Sequence, residues 1–222
     1  NINFSTNSDT EVVANAYMYF GDKSFNYFDG MWAIAIYDQE KREILLSRDY
    51  VGQKPLFYTK NKNYYIFSSQ LDGIILDKNS SLNLSQKNLK RYFSYSFIPA
   101  PYTPFENIFQ LEPGENIFID LKGLNINKRK YWDFINGADY NIFFKKISDD
   151  QFKHQFEEIV REHSIADKLP ALSLSGGIDS YLVMDYFTKL KKDCSSFTLG
   201  FDDESFDESK YVKKIDKKLN KN

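Results

Sequence analysis

The sequence has few cysteines, few histidines and no long apolar run, and each shortage excludes a class of structure or site. Its single cysteine excludes an internal disulfide, and with only two histidines the chain has no Cys/His set for a structural zinc. No apolar run reaches the roughly 18 residues that a membrane-spanning helix needs. The first residues also lack the basic-then-apolar order of a signal peptide. We therefore expect a cytoplasmic protein with no membrane partner.

Neither sign of charge dominates the chain. Its 29 Lys and Arg residues stand against 31 Asp and Glu residues, and the formal net charge of -2 argues against a nucleic-acid partner. With 222 residues, of which 42% are hydrophobic, the chain can bury the core of one large domain or of two small ones. It begins with Asn and ends in the helical-looking ESKYVKKIDKKLNKN, so we expect a fragment of a longer protein.

The first part of the chain has the pattern of a helix followed by short strands. Ser8 and Glu11 have the spacing of a capping box, and apolar residues follow them at helical spacing. The runs MWAIAIYD, EILLSRD, PLFYTK and YYIFSS predict one antiparallel sheet built from hairpins, with a further hairpin in NIFQLEPGENIFID. Ser85 is a candidate helix cap. We expect Arg48-Asp49 and Lys54-Pro55 to belong to a hairpin whose charges pair, and we assign them no chemistry.

From about residue 141 the pattern changes to strand, loop and helix. ALSL predicts a short buried strand, YLVMDYFTKL a helix, SSFTLGF another strand and DESKYVKKIDKKL another helix. This alternation is typical of a parallel α/β domain. We therefore expect two domains, 1–140 and 141–222.

The loop in ALSLSGGIDS carries the most chemical information. Because Gly176 and Gly177 have no Cβ, their backbone N–H groups can turn toward a phosphate, and the following helix N-terminus adds further donors. Ser175 and Ser180 can add hydroxyl donors. A role for Asp179 beside phosphate implies Mg²⁺ between them or an orienting bond to the loop. The alternative is a plain strand-to-helix turn in which Asp179 is the N-cap and no ligand binds.

Two parts of the sequence together point to one family. Ser-Gly-Gly-x-Asp-Ser resembles the pyrophosphate loop of ATP pyrophosphatases, a motif that several families share. The upstream segment FDGMWAIAIYDQEKREILLSRDYVGQKPLFY looks like the glutaminase domain of glutamine-hydrolysing asparagine synthetases. Similar segments, among them FIPAPYTPFENIFQLEPGE and FTLGFDDESFDESKY, follow in the order of that family, so the resemblance covers nearly all of the chain.

The resemblance implies a fold for each domain. Residues 1–140 would be the C-terminal part of a type-2 glutamine amidotransferase domain, a remnant of an N-terminal-nucleophile αββα sandwich. Residues 141–222 would be the start of a Rossmann-like ATP pyrophosphatase (PP-loop) domain. The fold class is therefore mixed, α/β and α+β.

The resemblance also implies an activity and its ligands. In this family an N-terminal cysteine releases ammonia from glutamine, and ATP with Mg²⁺ converts the side-chain carboxylate of aspartate into an acyl-adenylate, which ammonia attacks. The implied enzyme is an ATP-dependent carbon-nitrogen ligase of asparagine biosynthesis. Its substrates would be glutamine, ATP and aspartate or another carboxylate, and the full-length protein could form a homodimer.

The family's binding residues carry over onto matching positions. Asp9 matches the residue that holds the glutamine α-amino group, although an acid in the first helical turn also favours the helix dipole without any ligand. The implied ATP-binding residues match the loop and the two strand ends beside it; they are Leu174, Ser175, Gly176, Gly177, Asp179, Ser180 and Leu199. Asp179 is also the implied Mg²⁺ ligand.

Some positions depart from the family pattern. The nucleophilic cysteine belongs ahead of residue 1, so the chain carries no catalytic residue, and the internal Cys194 lacks the free α-amino group that would serve as its base. Gln70 stands where Glu is usual, and Tyr181 where a second Ser is common. After Asp167, Lys-Leu-Pro shifts the usual Asp-Val-Pro order. These departures keep open an acceptor such as a sugar acid, a peptide or a lactam precursor, and also a non-catalytic relative.

Overall fold

A computed structural model describes residues 3–79, 82–133, 135, 146–190, 194–203, 205 and 207–219. The chain divides into two compact units, residues 1–140 and 141–222. Each unit is described by itself. None of the described helices is long and apolar enough to cross a membrane.

Unit 1 combines helices with antiparallel strands. Its elements, in chain order, are α1 (Asp9–Phe20), a 3-10 helix (Gly21–Asn26), β1 (Ala33–Asp38), β2 (Glu43–Arg48), β3 (Phe57–Lys60), β4 (Tyr65–Ser68), α2 (Asp72–Ile75), α3 (Gln86–Tyr95), β5 (Ile108–Gln110), β6 (Glu115–Asp120) and β7 (Asn125–Lys130).

The strands of unit 1 form two antiparallel sheets, not the single sheet that the sequence predicts. One sheet has the order β1-β2-β6-β7 and the other has the order β4-β3-β5. The predicted hairpin in NIFQLEPGENIFID is wrong, because β5 pairs with β3 while β6 pairs with β2. Between these two strands Leu111 donates to the carbonyl of Leu56, and Gly114 donates to that of Asp49. These bonds direct the chain from one sheet to the other.

Alternate residues of the four-stranded sheet enter two different cores. Leu46 of β2 and Ile117 of β6 are fully buried with Leu56, Tyr58 and Leu111, which belong to the three-stranded sheet or its ends. The neighbouring residues of the same two strands, Leu45 and Phe118, pack on the opposite face with Tyr17 of α1, Phe25 and Trp32. Because successive side chains in a strand point to opposite faces, the layers run helix, sheet, sheet. This is the αββ part of the predicted sandwich.

The predicted helix starts are confirmed, but one of the caps is made differently. The Ser8 side chain accepts from the backbone N–H of Thr10, while the Glu11 carboxylate accepts from the N–H groups of Ser5 and Thr6. The predicted capping box of Ser8 and Glu11 is therefore wrong, because the preceding loop folds back onto the Glu11 carboxylate. Ser85 caps α3 as predicted.

Arg48 and Asp49 are both buried, but they do not form the predicted ion pair. The guanidinium donates instead to three backbone carbonyls, those of Gly52, Lys54 and Leu111. The carboxylate of Asp49 accepts from three backbone N–H groups, those of Trp32, Gln53 and Lys54. Each buried charge thus satisfies backbone groups of the loop between β2 and β3 and of the neighbouring chain. Their role is structural.

Unit 2 alternates helices and strands. Its elements are α4 (Asp149–His163), β8 (Ala171–Ser173), α5 (Ile178–Lys189), β9 (Ser195–Phe197) and α6 (Ser209–Leu219). Strands β8 and β9 are parallel, as the sequence predicts. Val160 of α4 packs with Tyr186 and Phe187 of α5, and Cys194 packs against this core. Cys194 is therefore a core-edge residue, in agreement with its exclusion as a nucleophile.

Candidate functional site

The predicted phosphate loop joins β8 to α5 at the carboxyl end of a parallel strand. β8 ends at Ser173 and α5 begins at Ile178, so Leu174 to Gly177 make the whole connection. The neighbouring parallel strand β9 ends at Phe197, at the same edge of the sheet. Ligands of open α/β sheets bind outside this edge, so the loop lies where a nucleotide site is expected.

Two serine side chains hold the loop in shape. The hydroxyls of Ser175 and Ser180 lie 2.9 Å apart, and the Ser180 hydroxyl also accepts from the N–H of Ser175. The Ser175 hydroxyl accepts from the N–H of Gly177 at 3.2 Å. The five-residue separation of the serines thus lets the first turn of α5 close back onto the end of β8. Both hydroxyls remain exposed enough to meet a ligand, since Ser175 is exposed and Ser180 is half-buried.

Both glycines of the loop lie close to neighbouring side chains. A Cβ on Gly176 would lie 3.3 Å from the Cβ of Tyr211 and 3.5 Å from that of Glu208, so a side chain there would press against the start of α6. A Cβ on Gly177 would lie 3.2 Å from the Ser175 hydroxyl oxygen. A side chain at either glycine therefore requires a small shift of the neighbouring side chains.

Asp179 lies in the first turn of α5, and its side chain is exposed. The N-cap is Gly177, whose backbone is extended, so the alternative that makes Asp179 the N-cap is wrong. Among the described residues Asp179 has no hydrogen bond or ion pair, and its carboxylate faces the positive end of the helix dipole. A single free carboxylate beside a phosphate loop fits Mg²⁺, which is usually held by one or two carboxylates together with substrate phosphates. The described residues contain no cluster of three or more acidic, His or Cys groups that would hold a metal alone.

Leu174 and Leu199 differ in whether their backbone N–H and carbonyl groups already have hydrogen-bond partners. Leu174 is buried; its N–H donates to the carbonyl of Phe197, and its carbonyl accepts from the Thr198 hydroxyl. Leu199 is 75% exposed and has no backbone hydrogen bond among the described residues. The backbone N–H and carbonyl of Leu174 are thus already used within the protein, whereas those of Leu199 have no partner among the described residues.

Asp9 lies in unit 1, at the edge of an open groove of about 950 Å³. The groove is lined by the first turns of α1, by residues 27–36, which include β1 residues, and by Lys54, Pro55 and Ser69. Asp29 and Lys54 are among the lining residues, and the Asp29 carboxylate accepts from the Tyr50 hydroxyl at 3.2 Å. A groove with charges of both signs suits a zwitterionic amino acid, and the exposed Asp9 carboxylate can bind an ammonium group there.

Two family models match the chain, one after the other. The model of the glutamine amidotransferase domain matches residues 1–132, which is more than half of the chain, and the model of asparagine synthase matches residues 151–222. The chain belongs to the glutamine-hydrolysing asparagine synthetase family. The family and the mixed fold class predicted from the sequence are both confirmed.

The relatives that match this member of the asparagine synthetase family are longer than the chain itself. A Methanocaldococcus jannaschii protein, named provisionally as asparagine synthetase (glutamine-hydrolyzing) 2, is 36% identical over 219 residues, which are 96% of this chain and 42% of that protein. Asparagine synthetase (glutamine-hydrolyzing) 1 of Bacillus subtilis is 26% identical over 92% of this chain and 32% of its own length. Amidase chry2 of Gibberella zeae is 26% identical over 85% of this chain and 28% of its own length. The chain thus spans about two fifths or less of the length of these relatives.

A solved structure of the glutamine phosphoribosylpyrophosphate amidotransferase of B. subtilis, complexed with ADP and GMP, also aligns with the chain. It covers 88% of this chain and 40% of its own chain at 15% identity, with a TM-score of 0.42. We therefore assign the fold class of this asparagine synthetase family member from the two family models and from its own strand order.

One residue at the loop was not predicted from the sequence. The N–H of Gly176 donates a hydrogen bond of 2.9 Å to the carboxylate of Glu208, which directly precedes α6. The sequence signal is an acidic residue that follows the next parallel strand and precedes the next helix. A residue in that position is expected near the sheet edge at which the loop lies. The sequence spacing does not indicate which atom of the loop it contacts.

Proposed function

We propose that the protein is a glutamine-dependent asparagine synthetase. The proposal rests on one observation above all: an intact Ser-Gly-Gly-x-Asp-Ser loop at the carboxyl edge of β8 follows a glutamine amidotransferase domain in the same chain. On this proposal residues 1–140 are the C-terminal part of the glutaminase domain, and residues 141–222 begin the ATP pyrophosphatase domain. The cytoplasm and a homodimer are the proposed setting and assembly of the full-length protein.

The ligase step joins aspartate to ammonia through an adenylate. A side-chain carboxylate oxygen of aspartate attacks the α-phosphorus of ATP, and the bond from that phosphorus to the β-phosphate oxygen breaks, so pyrophosphate leaves. Ammonia then attacks the acyl carbon, AMP leaves with the former carboxylate oxygen, and the nitrogen loses a proton to give the amide of asparagine. Adenylation is needed because a carboxylate oxygen is otherwise a poor leaving group.

The loop residues would bind the pyrophosphate part of ATP. The hydroxyls of Ser175 and Ser180 and the N–H of Gly177 lie within one hydrogen-bonded group, so a phosphate oxygen would take over donors that are already oriented. The first turn of α5 adds the positive end of its dipole. These groups would hold the leaving pyrophosphate while the backbone of Leu199 contacts the adenine.

Asp179 would hold Mg²⁺ together with the phosphates of ATP. The ion would neutralise part of the charge that develops on the leaving pyrophosphate. The free, exposed carboxylate of Asp179 is the feature of the chain that supports this role.

Asp9 would bind the α-amino group of glutamine in the groove of unit 1. The supporting features are its exposed carboxylate and the mixed charge of the lining. The cysteine nucleophile that releases ammonia would precede residue 1.

A second acceptor class is favoured by two observations. The segment Lys168 to Pro170, just ahead of β8, departs from the usual Asp-Val-Pro order of the family that the sequence resembles, and amidase chry2 is among the matching proteins. The alternative is an amidotransferase with the same adenylation chemistry that acts on another carboxylate, such as a sugar acid or a peptide.

The test uses aspartate labelled with ¹⁸O in its side-chain carboxylate and the full-length protein with ATP, Mg²⁺ and glutamine. An acyl-adenylate transfers one ¹⁸O atom to AMP for each asparagine formed, and mass spectrometry of AMP detects it. Labelled sugar acids and peptide carboxylates run in parallel separate the two acceptor classes. If AMP gains no label from any carboxylate, the adenylation proposal is wrong and a non-catalytic relative is favoured.

A further inference from the structure

Glu208 occupies a position at the loop where the proposed function requires an anion. Its carboxylate accepts the N–H of Gly176 at 2.9 Å, and that N–H is one of the donors predicted to bind phosphate. A carboxylate and a phosphate oxygen are anionic acceptors of the same kind, and both form charge-assisted hydrogen bonds to backbone N–H groups. In the structure, therefore, a side chain of the protein already satisfies a donor of the proposed pyrophosphate site.

Close packing at the start of α6 holds Glu208 beside Gly176. The Cβ of Glu208 lies 3.5 Å from the position that a Cβ of Gly176 would take. The backbone carbonyl of Glu208 also accepts from the N–H groups of Tyr211 and Val212 at the start of α6. The residue is thus fixed by its own helix at one end and by the loop at the other.

Glu208 is not needed as the side-chain cap of α6. The carboxylate of Asp207 accepts from both the N–H and the hydroxyl of Ser209, and the hydrogen bond from that N–H is the main reason why the pKa of Asp207 is lowered. Asp207 therefore supplies the side-chain acceptor for the first N–H of the helix. The Glu208 side chain is directed to Gly176 instead, so its removal leaves the helix cap intact.

We propose that Glu208 is an internal competitor for the pyrophosphate part of the nucleotide. Glu208 holds the Gly176 N–H when the loop is empty, and it gives up this bond when a phosphate oxygen binds there. Two anionic groups cannot share one N–H donor at hydrogen-bond distance without strong repulsion. The exchange weakens pyrophosphate binding and favours pyrophosphate release after adenylation. This inference rests on the proposed function of the same loop.

The experiment measures the affinity of inorganic pyrophosphate for the full-length protein by calorimetry, with Mg²⁺ present. Glu208→Gln keeps the size of the side chain and removes its charge, and Glu208→Ala removes the competitor. The matched control is Asp202→Asn, which removes one negative charge from an exposed position on the same segment. We expect Glu208→Ala to bind pyrophosphate about tenfold tighter than the parent, since one charge-assisted hydrogen bond no longer has to be displaced. Glu208→Gln should lie between them, and Asp202→Asn should match the parent.

A second readout follows the contact itself. In ¹⁵N-edited NMR spectra of the ligand-free protein, the Gly176 amide resonance should move in Glu208→Ala but stay in place in Asp202→Asn. When pyrophosphate saturates the loop, the Gly176 resonances of the parent and of Glu208→Ala should converge, because the same ligand then accepts this N–H in both. A role of Glu208 in folding alone would not produce this convergence.

Two results would overturn the inference, and they can be told apart. If the parent binds pyrophosphate and both Glu208 variants bind it equally or more weakly, Glu208 is not a competitor, while the proposed function of the loop stands. If neither the parent nor any Glu208 variant binds pyrophosphate or ATP, the proposed function of the loop fails and the inference fails with it.

Discussion

The hydroxyl oxygens of Ser175 and Ser180 lie 2.9 Å apart, one in the loop that follows β8 and the other in the first turn of α5. The Ser180 hydroxyl also lies 3.1 Å from the carbonyl oxygens of Ser175 and Gly177. One hydroxyl therefore closes the loop from the helix side. A phosphate that binds here meets a turn that is already formed.

Ser180→Ala should weaken ATP binding, because it removes both a phosphate donor and the bonds that shape the loop. We expect KM for ATP to rise about tenfold, in line with the loss of a hydrogen bond to a charged group. Steady-state kinetics of the full-length protein measure this. Thr188→Ala is the control, since among the described residues its hydroxyl donates only to the carbonyl of Met184, within α5. Equal KM values in the two variants would contradict a role of Ser180 at the phosphates.

Asp9→Asn should impair the use of glutamine but not the use of free ammonia. The change keeps the shape of the side chain and removes the charge that would hold the α-amino group. We expect KM for glutamine to rise about tenfold or more, while ammonia-dependent amidation stays at the parent rate. Asp22→Asn is the matched control, because Asp22 pairs with Arg129 and does not line the groove. An equal loss with both nitrogen donors would show that Asp9 stabilises the protein instead.

Gly114→Ala should destabilise unit 1 more than Gly21→Ala does. Both glycines have positive φ, +67° and +62°, so both substitutions strain the backbone by about 1 kcal/mol or more. Only at Gly114 would the new Cβ lie 2.4 Å from a backbone oxygen, that of Trp132, whereas nothing lies within 4 Å at Gly21. Both tryptophans of the chain, Trp32 and Trp132, lie in unit 1, so their fluorescence during urea unfolding reports this unit. Equal unfolding midpoints would mean that the chain around Trp132 moves away freely.

Glu115→Gln should stabilise unit 1 at neutral pH and have less effect in acid. Burial raises the pKa of Glu115 above its unfolded value, although the Lys128 ammonium 4.0 Å away opposes the shift. The folded chain therefore binds the proton more readily, so ionisation of Glu115 lowers the free energy of unfolding above the folded pKa and has no such effect below the unfolded pKa. Gln keeps the acceptor for the N–H of Glu112. The melting temperature followed by tryptophan fluorescence should favour the variant at pH 7, and this advantage should shrink toward pH 4. An advantage that is constant with pH would contradict the raised pKa.

The sequence predicts elements well where the signal is local. The helix starts at Ser8 and Ser85, the parallel pair β8 and β9 and the loop between Leu174 and Ile178 all follow from residue periodicity and cap residues within a few positions. The strand-loop-helix pattern alone is enough to put the serines and glycines at a carboxyl edge of a sheet.

Residue periodicity does not predict which segments contact each other when they are far apart in the sequence. Arg48 reaches the carbonyl of Leu111 across 63 positions, and the carboxylate of Glu208 reaches Gly176 across 32 positions. Adjacent opposite charges suggest an ion pair between Arg48 and Asp49, yet both side chains form hydrogen bonds to backbone groups instead. The apparent hairpin around Gly114 fails for a similar reason, because each of its strands finds a better partner in a different sheet.

Pyrophosphate release tests the proposed adenylation most directly. The full-length protein is given ATP, Mg²⁺ and ammonia, and pyrophosphate, orthophosphate and AMP are measured with and without aspartate. An asparagine synthetase releases one pyrophosphate and one AMP for each asparagine formed, and only when aspartate is present; Gly177→Val, which crowds the loop at the Ser175 hydroxyl, abolishes this release. Release of ADP and orthophosphate, or pyrophosphate release that Gly177→Val leaves unchanged, would contradict the role assigned to the loop.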